Sequence, residues 1–407
     1  MANDIVLLNI SGPDKPGLTS GLTSVLAQYG AKVLDIGQAN IHDTLSLGIL
    51  FQIQSGEKSA AVLKDLLFKS YELGIKAKFT PITLENYEKW VGLQGKDRYI
   101  VTILGENLSA EQISKVTKVI SEKNLNIDSI KRLTGRLSLV KKEEYPRASI
   151  QLSIRGKIDN KAEFTEKFMQ ISQDLDVDIA FQEDNIFRRN RRLICFDMDS
   201  TLIQTEVIDE LAILAGVGNE VKAITELAMN GEIDFKESFK RRMKLLKGLS
   251  EEVLHDVAIN LPITKGARRL IDTLRSYGFK TAILSGGFTY FGNYLQKELG
   301  MDYVYANELE IKNGVLTGGY IGEIVDGNKK AEFLKEIAQK EGIDIGQTIA
   351  VGDGANDLAM LNVAGLGIAF HAKPTVKDIA QNSISSIGLD GVLYLLGYHD
   401  RHIDLLE

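Results

Sequence analysis

The fold of this chain is decided by residues 193–201, which read LICFDMDST: a short apolar run that turns at once into acidic and hydroxyl side chains. Three later apolar runs, at residues 281–284, 348–351 and 367–370, are each followed by a turn rich in Gly, Ser or Asp. Helical segments alternate with these runs, which is typical of a doubly wound parallel sheet. The sequence therefore predicts an α/β domain over residues 190–407.

Two features interrupt that alternation. Residues 204–260 have helical periodicity and almost no strand pattern, which predicts a helical cap inserted after the first strand. Asn313 and Gly314 separate two short apolar runs, at residues 309–311 and 315–317. An Asn-Gly pair in this position favours a β-hairpin.

The first half of the chain repeats itself weakly. Strand, helix, two strands, helix and strand follow one another over residues 1–90, and the same βαββαβ order restarts over residues 95–185. Gly12 and Gly105 follow the first strand of each copy and lie 93 residues apart, so the repeat is a small domain rather than a solenoid unit. We therefore expect two ferredoxin-like βαββαβ domains before the α/β domain.

Composition excludes several classes of protein. The chain has 407 residues and a net charge of −7, and it is 44% apolar and 25% charged, as ordinary globular proteins are. The acidic balance argues against a nucleic-acid partner, which needs a basic footprint. The single cysteine excludes a disulfide framework, and no apolar run approaches the length of a membrane span. The first residues, MANDIVLLNI, lack the pattern of a signal peptide, so a cytoplasmic protein with no membrane partner is expected.

An arginine-rich stretch joins the two halves and contains Arg188, Arg189, Arg191 and Arg192. An anion-binding patch is one interpretation, but a solvated linker is favoured, because charge runs usually lie on solvated surfaces. Cys195, inside the first apolar run, is interpreted as a small core residue rather than a redox group.

Side chains that can do chemistry follow the apolar runs. Because ligands of open α/β sheets bind at the carboxyl ends of the strands, these side chains share one crevice if the sheet prediction holds. The first run is followed by Asp197 and Asp199, the second by Ser285, Gly286 and Gly287, and the third by Asp353, Asn356 and Asp357, while Lys330 lies in the helical segment that leads into the third run.

These residue types together suit a Mg²⁺-dependent phosphoryl-transfer site. Mg²⁺ prefers oxygen ligands from carboxylates, water and phosphate, and Asp197 and Asp353 can supply the carboxylates. A carboxylate can also attack phosphorus and form an aspartyl-phosphate. Lys330, the Ser285 hydroxyl and the N–H groups of the glycine-rich turns supply positive potential for a phosphate dianion. Each residue alone has a plain structural explanation as a cap, a turn or a solvated lysine; their joint occurrence in this order favours catalysis.

Residues 193–407 resemble the haloacid dehalogenase superfamily, and within it the phosphoserine phosphatase branch. The superfamily pattern is Asp-x-Asp-x-Thr, then Ser or Thr, then Lys, then Gly-Asp-x-x-x-Asp. It occurs here as Asp197-Met198-Asp199-Ser200-Thr201, Ser285, Lys330 and Gly352-Asp353 through Asp357.

The resemblance implies a role for each of these residues. Asp197 is the nucleophile and Asp199 the general acid/base, and Mg²⁺ is held by Asp197, the backbone carbonyl of Asp199 and Asp353. Asn356 and Asp357 belong to the supporting shell. Lys330, rather than its neighbour Lys329, takes the lysine role, because it stands 23 residues before Asp353.

The resemblance also implies the substrate O-phospho-L-serine, which carries an ammonium and a carboxylate besides its phosphate. Glu206 can pair with the ammonium, and Arg242 can clamp the carboxylate in a bidentate way that a lysine achieves less well. Met229 and Phe235 are expected to wall the pocket and exclude water. The remaining substrate-binding candidates are Ser285, Gly286, Gly287, Lys330 and Asn356.

Each βαββαβ copy resembles an ACT domain, the module that binds amino acids and regulates metabolic enzymes. Asp14-Lys15-Pro16-Gly17-Leu18 carries the resemblance in the first copy. Pro16 suits an early helical position, and Gly17 lets the backbone approach a carboxylate at a helix N-terminus, so Asp14 and Gly17 are the candidate effector-binding residues. The second copy lacks the Pro-Gly pair, and a structural role is open for it. Two such copies beside this phosphatase imply a homodimer with feedback by L-serine.

Two alternatives stay open from the residues. A non-enzymatic amino-acid sensor would keep the fold without the chemistry, but the intact set of Asp197, Asp199, Lys330 and Asp353 speaks against it. A phosphotransferase that passes the phosphoryl group to another alcohol would need only a different acceptor in the same pocket.

Overall fold

A computed structural model describes residues 3–93, 97–141, 146–377, 379–380 and 382–403. The chain forms two compact units, one up to Lys96 and one from Asp97 onward. Each unit is described below by itself.

The first unit is a four-stranded antiparallel sheet, in the order β2-β3-β1-β4, with two helices packed on it. Alternate residues of β3 are buried, and Leu8, Ile49 and Phe51 lie at the centre of the core. The predicted βαββαβ order is confirmed. The structure adds one unpredicted helix, α3, which begins after Thr83 because that hydroxyl accepts a bond from the N–H of Asn86. The elements are β1 (Asn3–Pro13), α1 (Leu18–Gln28), β2 (Lys32–Ile41), β3 (Thr44–Gln54), α2 (Glu57–Glu72), β4 (Lys76–Ile82) and α3 (Leu84–Val91).

The second unit begins with another domain of the same topology, whose sheet order is β6-β7-β5-β8. This confirms the internal repeat. Its elements are β5 (Arg98–Gly105), α4 (Ala110–Glu122), β6 (Asn126–Arg132), β7 (Ala148–Arg155), α5 (Lys161–Leu175) and β8 (Asp178–Glu183).

This second βαββαβ domain shares a hydrophobic core with the rest of its unit. In β5 the side chains of Val101 and Ile103 pack with α4 and α5, whereas Leu104 belongs to the same apolar cluster as Phe196. A strand points successive side chains to opposite faces, so both faces of β5 are covered and every residue from Tyr99 to Gly105 is buried.

Buried polar contacts reinforce this junction. The carboxylate of Asp178 in β8 accepts bonds from the backbone N–H groups of Ser385 and Ser386, at 2.8 to 2.9 Å, and from the Ser386 hydroxyl at 2.6 Å. The side-chain amide of Gln182 donates to the carbonyl of Leu395 at 3.0 Å. The domain is therefore attached to its neighbour by satisfied buried hydrogen bonds as well as by apolar packing.

The rest of the second unit is built on a seven-stranded sheet in the order β12-β11-β10-β9-β13-β14-β15. In this sheet the six strands β11, β10, β9, β13, β14 and β15 are parallel to one another. The edge strand β12 pairs with β11 in antiparallel orientation. The strands are β9 (Leu193–Phe196), β10 (Lys280–Phe288), β11 (Tyr303–Lys312), β12 (Val315–Ile321), β13 (Thr348–Gly352), β14 (Leu366–Phe370) and β15 (Ser383–Ile384). The prediction of a doubly wound α/β fold is confirmed.

The predicted hairpin joins β11 to β12, and its turn residues Asn313 and Gly314 both have positive φ, at 53° and 74°, as a two-residue hairpin turn requires. Cys195 is fully buried in the centre of the sheet, and burial raises the pKa of its thiol, so it is a core residue as expected.

Four helices lie within residues 204–260, where the helical cap is predicted: α6 (Val207–Leu214), α7 (Gly218–Met229), α8 (Phe235–Leu245) and α9 (Glu251–Ile259). The remaining helices surround the sheet or follow it: α10 (Ala267–Ser276), α11 (Thr289–Leu299), α12 (Gly327–Lys340), α13 (Leu358–Val363), α14 (Pro374–Lys377), α15 (Gly391–Leu395) and α16 (Asp400–Ile403). Within the described residues, no helix combines the length and the apolar character needed to cross a membrane.

The interpretation of the arginine-rich stretch as a solvated linker is wrong for two of its members. Arg188 is only 7% exposed, and its guanidinium donates to the side-chain oxygen of Gln151 at 3.1 Å. Arg191 donates to the backbone carbonyls of Gly346 and Thr348, at 2.9 and 3.0 Å. Arg189 and Arg192 are exposed, so the stretch is only partly solvated, and charge composition alone does not reveal which of its members are packed.

Candidate active site

The site is built from Asp197, which follows the last residue of the central strand β9. One oxygen of its carboxylate, Oδ1, accepts the N–H of Met198 at 2.7 Å and contacts the ammonium of Lys330 at 2.8 Å. The carboxylate is about 95% buried. Strand β9 therefore delivers an acid to the carboxyl edge of the sheet, where the prediction expected it.

Lys330 reaches Asp197 from the first turn of α12, which begins at Gly327 behind the capping side chain of Asp326. The lysine is fully buried, and its Nζ also donates to Oδ1 of Asp357 at 2.7 Å. Burial opposes its charge, but Asp197 and Asp357 outweigh burial and raise its pKa. A buried ammonium between two carboxylates is a fixed positive charge at the centre of the site.

The neighbouring Lys329 points elsewhere. Its Nζ pairs with Glu323 at 3.2 Å and with Glu332 at 3.0 Å. The geometry therefore favours Lys330 over Lys329 as the lysine of the site.

Two more acids arrive from the turn after β13. Oδ1 of Asp353 accepts the hydroxyl of Thr201 at 3.2 Å, and Oδ2 of Asp357 accepts the N–H of Gly354 at 3.0 Å. Asp197, Asp353 and Asp357 each offer one oxygen within 4.8 Å of the others. Three converging carboxylates repel one another unless a cation or a proton compensates them.

That repulsion appears in the pKa values. Burial, followed by the charge of Asp357, raises the pKa of Asp197 well above its ordinary value, against the lowering effect of Lys330. Burial and Asp357 also raise the pKa of Asp353, to about 7. The single ammonium does not balance the cluster, so the donor set suits a divalent cation that prefers oxygen ligands.

Asp199 lies two residues beyond Asp197 and is held differently. Its Oδ1 accepts the N–H of Val207 at 3.0 Å at the start of α6. Burial, and then the charge of Glu206, raise the pKa of Asp199 to about 8. A carboxylic acid that keeps its proton near neutral pH can donate that proton to a leaving group.

Glu206 lies at the open side of the site. It is exposed, and its Oε1 accepts the hydroxyl of Ser200 at 2.9 Å. Ser200 has a left-handed backbone, with φ of 54°, so the chain turns sharply between the two catalytic candidates and the cap. The charge of Glu206 contributes to the raised pKa values of both Asp199 and Asp353, so this acid lies within electrostatic range of the same centre.

The other side of the site is formed by Ser285, Gly286 and Gly287. The structure places them in the last residues of β10, where its register with β11 shifts, and not in a turn after the strand as predicted. We call this irregular segment the glycine-rich turn. The Ser285 hydroxyl is buried and accepts the N–H of Gly287 at 2.8 Å. A β-carbon on Gly287 would stand 2.5 Å from Oδ2 of Asp199, and one on Gly286 would stand 3.0 Å from the ring of Phe235. Backbone atoms therefore approach the acids and the cap more closely than any larger residue would allow.

Two residues that contribute to this arrangement escaped the sequence analysis. Asn307, in β11, donates to the carbonyl of Gly286 at 2.8 Å and accepts the N–H of Val325 at 2.8 Å, so it fixes the turn. Thr201 was quoted as part of a motif but given no role, and its bond to Asp353 orients an acid from a distant strand. The motif could have identified Thr201, whereas an asparagine in the middle of a strand carries no sequence signal.

Of the predicted cap residues, Arg242 and Phe235 lie near the acid cluster or the glycine-rich turn, whereas Met229 does not. Arg242 of α8 feels the fields of Glu206, Asp209 and Asp199, although burial is the main effect and lowers its pKa. Its Nε is buried without a hydrogen-bond partner, and Phe235 lies against the glycine turn. Met229 is 64% exposed at the end of α7, with its sulfur 3.8 Å from the ammonium of Lys373. The structure therefore does not bring Met229 into the cluster, and its role in excluding water stays a prediction.

Asn356 lies at the junction of the turn after β13 and helix α12. Its backbone oxygen would stand 2.4 Å from a β-carbon on Gly327, and its side-chain oxygen 2.2 Å from one on Gly354. It is thus packed against Gly327 and Gly354, and its place in the supporting shell stays a prediction.

The candidate effector motif lies in the first unit. Gly17 precedes α1 with φ of 89°, and nothing lies within 4 Å of the position of a β-carbon there. Asp14 is exposed and accepts a bond from the side chain of Asn40. Helix α1 begins only at Leu18, so the expectation that Pro16 occupies an early helical position is wrong: Pro16 stands in the turn before the helix.

Comparison with known families agrees with this architecture. The ACT domain family matches residues 4–80 and again residues 98–182, and the haloacid dehalogenase-like hydrolase family matches residues 194–362. These ranges correspond to the two βαββαβ domains and to the α/β domain with its cap.

Curated relatives are similar along nearly the whole chain. Phosphoserine phosphatase SerB2 of Mycobacterium tuberculosis is 38% identical over 402 residues, which cover 99% of this chain and 95% of the relative. A phosphoserine phosphatase of Streptomyces coelicolor is also 38% identical over 402 residues, covering 99% of this chain and 94% of the relative.

Solved structures give the same result. A haloacid dehalogenase family hydrolase of Salmonella enterica serovar Typhi matches with a TM-score of 0.62 at 30% identity, covering 74% of this chain and 98% of that one. A probable phosphoserine phosphatase of Vibrio cholerae matches with a TM-score of 0.58 at 36% identity, covering 76% and 89%. Fold and site define a phosphatase of the haloacid dehalogenase-like class. The chain belongs to the phosphoserine phosphatase family of these hydrolases, with two ACT domains at its N-terminal side.

Proposed function

We propose that this protein hydrolyses O-phospho-L-serine to L-serine and phosphate, the last step of L-serine biosynthesis, with Mg²⁺ as cofactor and an aspartyl-phosphate as intermediate. The observation that carries the proposal is the convergence of Asp197, Asp353 and Asp357 at the edge of the sheet, where the buried Lys330 contacts Asp197 and Asp357. Intact catalytic candidates in this order also distinguish the chain from a non-enzymatic sensor.

In the first step the Asp197 carboxylate attacks phosphorus, the bond from phosphorus to the serine oxygen breaks, and Asp199 gives its proton to that oxygen. The raised pKa of Asp199, about 8, supports this role, because the acid must be protonated before it can donate. In the second step water attacks the phosphorus of phospho-Asp197, Asp199 takes the proton of that water, and phosphate leaves with the Asp197 carboxylate restored.

The donor set fits Mg²⁺. Asp197 and Asp353 would hold the ion together with the backbone carbonyl of Asp199. Both oxygens of Asp357 are already engaged, Oδ1 by Lys330 and Oδ2 by the N–H of Gly354, whereas the contacts of Asp197 with Lys330 and Met198 use Oδ1. When bound, the ion supplies positive charge against the phosphate oxygens.

Four groups would bind the substrate phosphate and position it for attack. Lys330 supplies a fixed ammonium, and the Ser285 hydroxyl, which accepts the N–H of Gly287, can donate its own proton to a phosphate oxygen. Backbone N–H groups of the glycine-rich turn and the side chain of Asn356 would complete the binding of the phosphate.

Glu206 and Arg242 would select the amino-acid part of the substrate, Glu206 by its ammonium and Arg242 by its carboxylate. Glu206 and Arg242 both lie within electrostatic range of the acid cluster. The Nε of Arg242 is buried without a hydrogen-bond partner, which supports a ligand at that position. Arg242→Ala should reduce kcat/KM for phosphoserine by about 100-fold and affect a small generic phosphate ester much less. Arg241→Ala is the matched control, because Arg241 is exposed and pairs with Glu237 at 2.7 Å. Equal losses on both substrates contradict the clamp.

Trapping of the intermediate tests the chemistry directly. Asp197→Asn should abolish turnover and also the acid-stable transfer of labelled phosphate to the protein. Asp256→Asn, which removes the same charge from the exposed surface of α9, should leave both unchanged. Turnover retained by Asp197→Asn contradicts the mechanism.

Product analysis with competing alcohols separates hydrolysis from phosphoryl transfer to another acceptor.

We propose further that L-serine binds at the first ACT domain near Asp14 and Gly17 and inhibits the enzyme. The left-handed Gly17 before α1 supports this, because it exposes N–H groups at a helix N-terminus to a carboxylate. Gly17→Ala should weaken inhibition by serine. Gly30→Ala is the matched control, since Gly30 also has positive φ, 66°, and open space around it. Unchanged inhibition of Gly17→Ala contradicts this placement.

A cytoplasmic homodimer completes the proposal, and light scattering tests the dimer.

A further inference from the structure

A cavity of about 410 Å³ lies within the second unit, where β6 and β7 of the second ACT domain meet the arginine stretch and the C-terminal segment. Its volume is in the range of small-molecule sites. The described residues that line it include no carboxylate. Its basic lining residues are Lys131, Arg188, Arg189, Arg191, His399 and His402. We call it the junction cavity.

Arg188 is the central observation. The residue is only 7% exposed. Its guanidinium donates to one neutral acceptor, the side-chain oxygen of Gln151, at 3.1 Å. Its Nε is buried without any hydrogen-bond partner. Among the described residues no carboxylate forms an ion pair with it, and Asp184, whose field reaches it, is engaged by Arg189 at 2.9 Å. A buried cation without a direct ion pair is costly.

The surrounding charges increase that cost. The guanidinium of Arg191 also has a buried Nε without a partner, and burial together with Arg188 lowers its pKa to about 10. Burial, followed by Arg401, His402 and Lys131, lowers the pKa of His399. Several cationic groups therefore repel one another around one space, in a chain whose net charge is −7.

A purely structural role does not account for this arrangement. Gly397 packs closely on the guanidinium, since a β-carbon there would stand 3.2 Å from Nη2 of Arg188. Packing and the bond to Gln151 would explain a neutral side chain at this position equally well. They do not explain why the charge of Arg188 is buried, or why Lys131, Arg189 and two histidines line the same cavity. Arg191 donates to two backbone carbonyls, but its Nε is buried without a partner.

We propose that the junction cavity binds a small multivalent oxyanion, a ligand that carries phosphate or carboxylate groups. Guanidinium groups recognise such oxygens with paired, charge-assisted hydrogen bonds. The ligand would contact the second ACT domain, the arginine stretch and the C-terminal segment together. Its occupancy would therefore stabilise the attachment of that domain to the catalytic domain.

Calorimetric titration of the full-length, metal-free protein tests this proposal, with inorganic pyrophosphate and citrate as probes of the phosphate and carboxylate classes. We expect saturable binding of at least one probe, weakened about tenfold in Arg188→Gln and about threefold in Lys131→Gln, since each change removes a charge-assisted contact. Lys131 is exposed, so its variant decides the question if Arg188→Gln fails to fold. Arg268→Gln is the matched control, because it removes the same charge from a surface pair with Glu298.

The same titration in Lys330→Met separates the cavity from the catalytic site. Binding that survives in Lys330→Met and falls in Lys131→Gln belongs to the junction cavity. No binding of either probe, or equal affinity in Lys131→Gln and Arg268→Gln, overturns the proposal. Because turnover is not measured, this outcome is independent of the proposed function.

Discussion

Replacement of Lys330 by methionine removes one charge and little volume from the centre of the site. The ammonium lies 2.8 Å from Asp197 and 2.7 Å from Asp357, and it is fully buried. Removing one partner of a buried ion pair typically costs about 3–5 kcal/mol, because the other partner stays buried and unpaired. Here two carboxylates lose their partner and a third, Asp353, lies within 4.8 Å.

We therefore expect Lys330→Met to lower the free energy of unfolding of the second unit by about 3–5 kcal/mol without Mg²⁺. Added Mg²⁺ should restore more stability to this variant than to the parent, because the ion compensates the same carboxylates. The loss of positive charge at the phosphate should reduce kcat by about 100- to 1,000-fold. Denaturant titrations with and without Mg²⁺, and steady-state rates on phosphoserine, measure these effects.

Lys329→Met provides the control one residue away. Lys329 makes surface pairs with Glu323 and Glu332, and such pairs contribute about 0–1 kcal/mol. Its variant should keep a kcat within about twofold of the parent. Full activity in Lys330→Met, or an equal loss in Lys329→Met, refutes the reasoning about the buried ammonium.

Three further outcomes are expected. Asn307→Ala unpairs the carbonyl of Gly286 and the N–H of Val325 and should lower kcat about tenfold with unchanged Mg²⁺ affinity; a kcat equal to the parent's rules out its positioning role. Gly287→Ala, whose β-carbon would stand 2.5 Å from Oδ2 of Asp199, should lose nearly all turnover, whereas Gly37→Ala, in open space, should lose none; normal rates in both variants contradict the steric argument. Burial and neighbouring cations lower the pKa of His399 in the fold, so the unfolded chain takes up that proton first and stability falls as the pH drops below about 6.5. Denaturant titrations at several pH values should show a weaker fall in His399→Asn, and an identical pH profile contradicts the shift.

The catalytic half of the chain was readable from its sequence because its polar residues follow buried runs directly. Asp197 and Asp353 come within one residue of a strand end, and parallel strands bring those ends to one edge. Lys330 was placed by spacing alone, and its burial against Asp197 is what separates it physically from Lys329.

Other features depend on packing that no local pattern encodes. Arg188 is buried because Gln151 and Gly397, both distant from it in sequence, pack against its guanidinium, although a charge run usually indicates solvent. Asn307 fixes the glycine turn from a neighbouring strand that is distant in sequence. The exposure of Met229 depends on how the cap lies over the site, which the periodicity of its helix does not determine.

The shared apolar core of the second unit has a consequence for how this protein can be divided. Leu104, Leu133 and Ala180 from the ACT side belong to one cluster with the strands of the phosphatase sheet. A cut between these parts would expose apolar surface on both fragments, so each fragment should be less stable alone than within the second unit. A fragment boundary at Asp97, between the two compact units, is therefore preferable to one at Leu193, which divides the second unit.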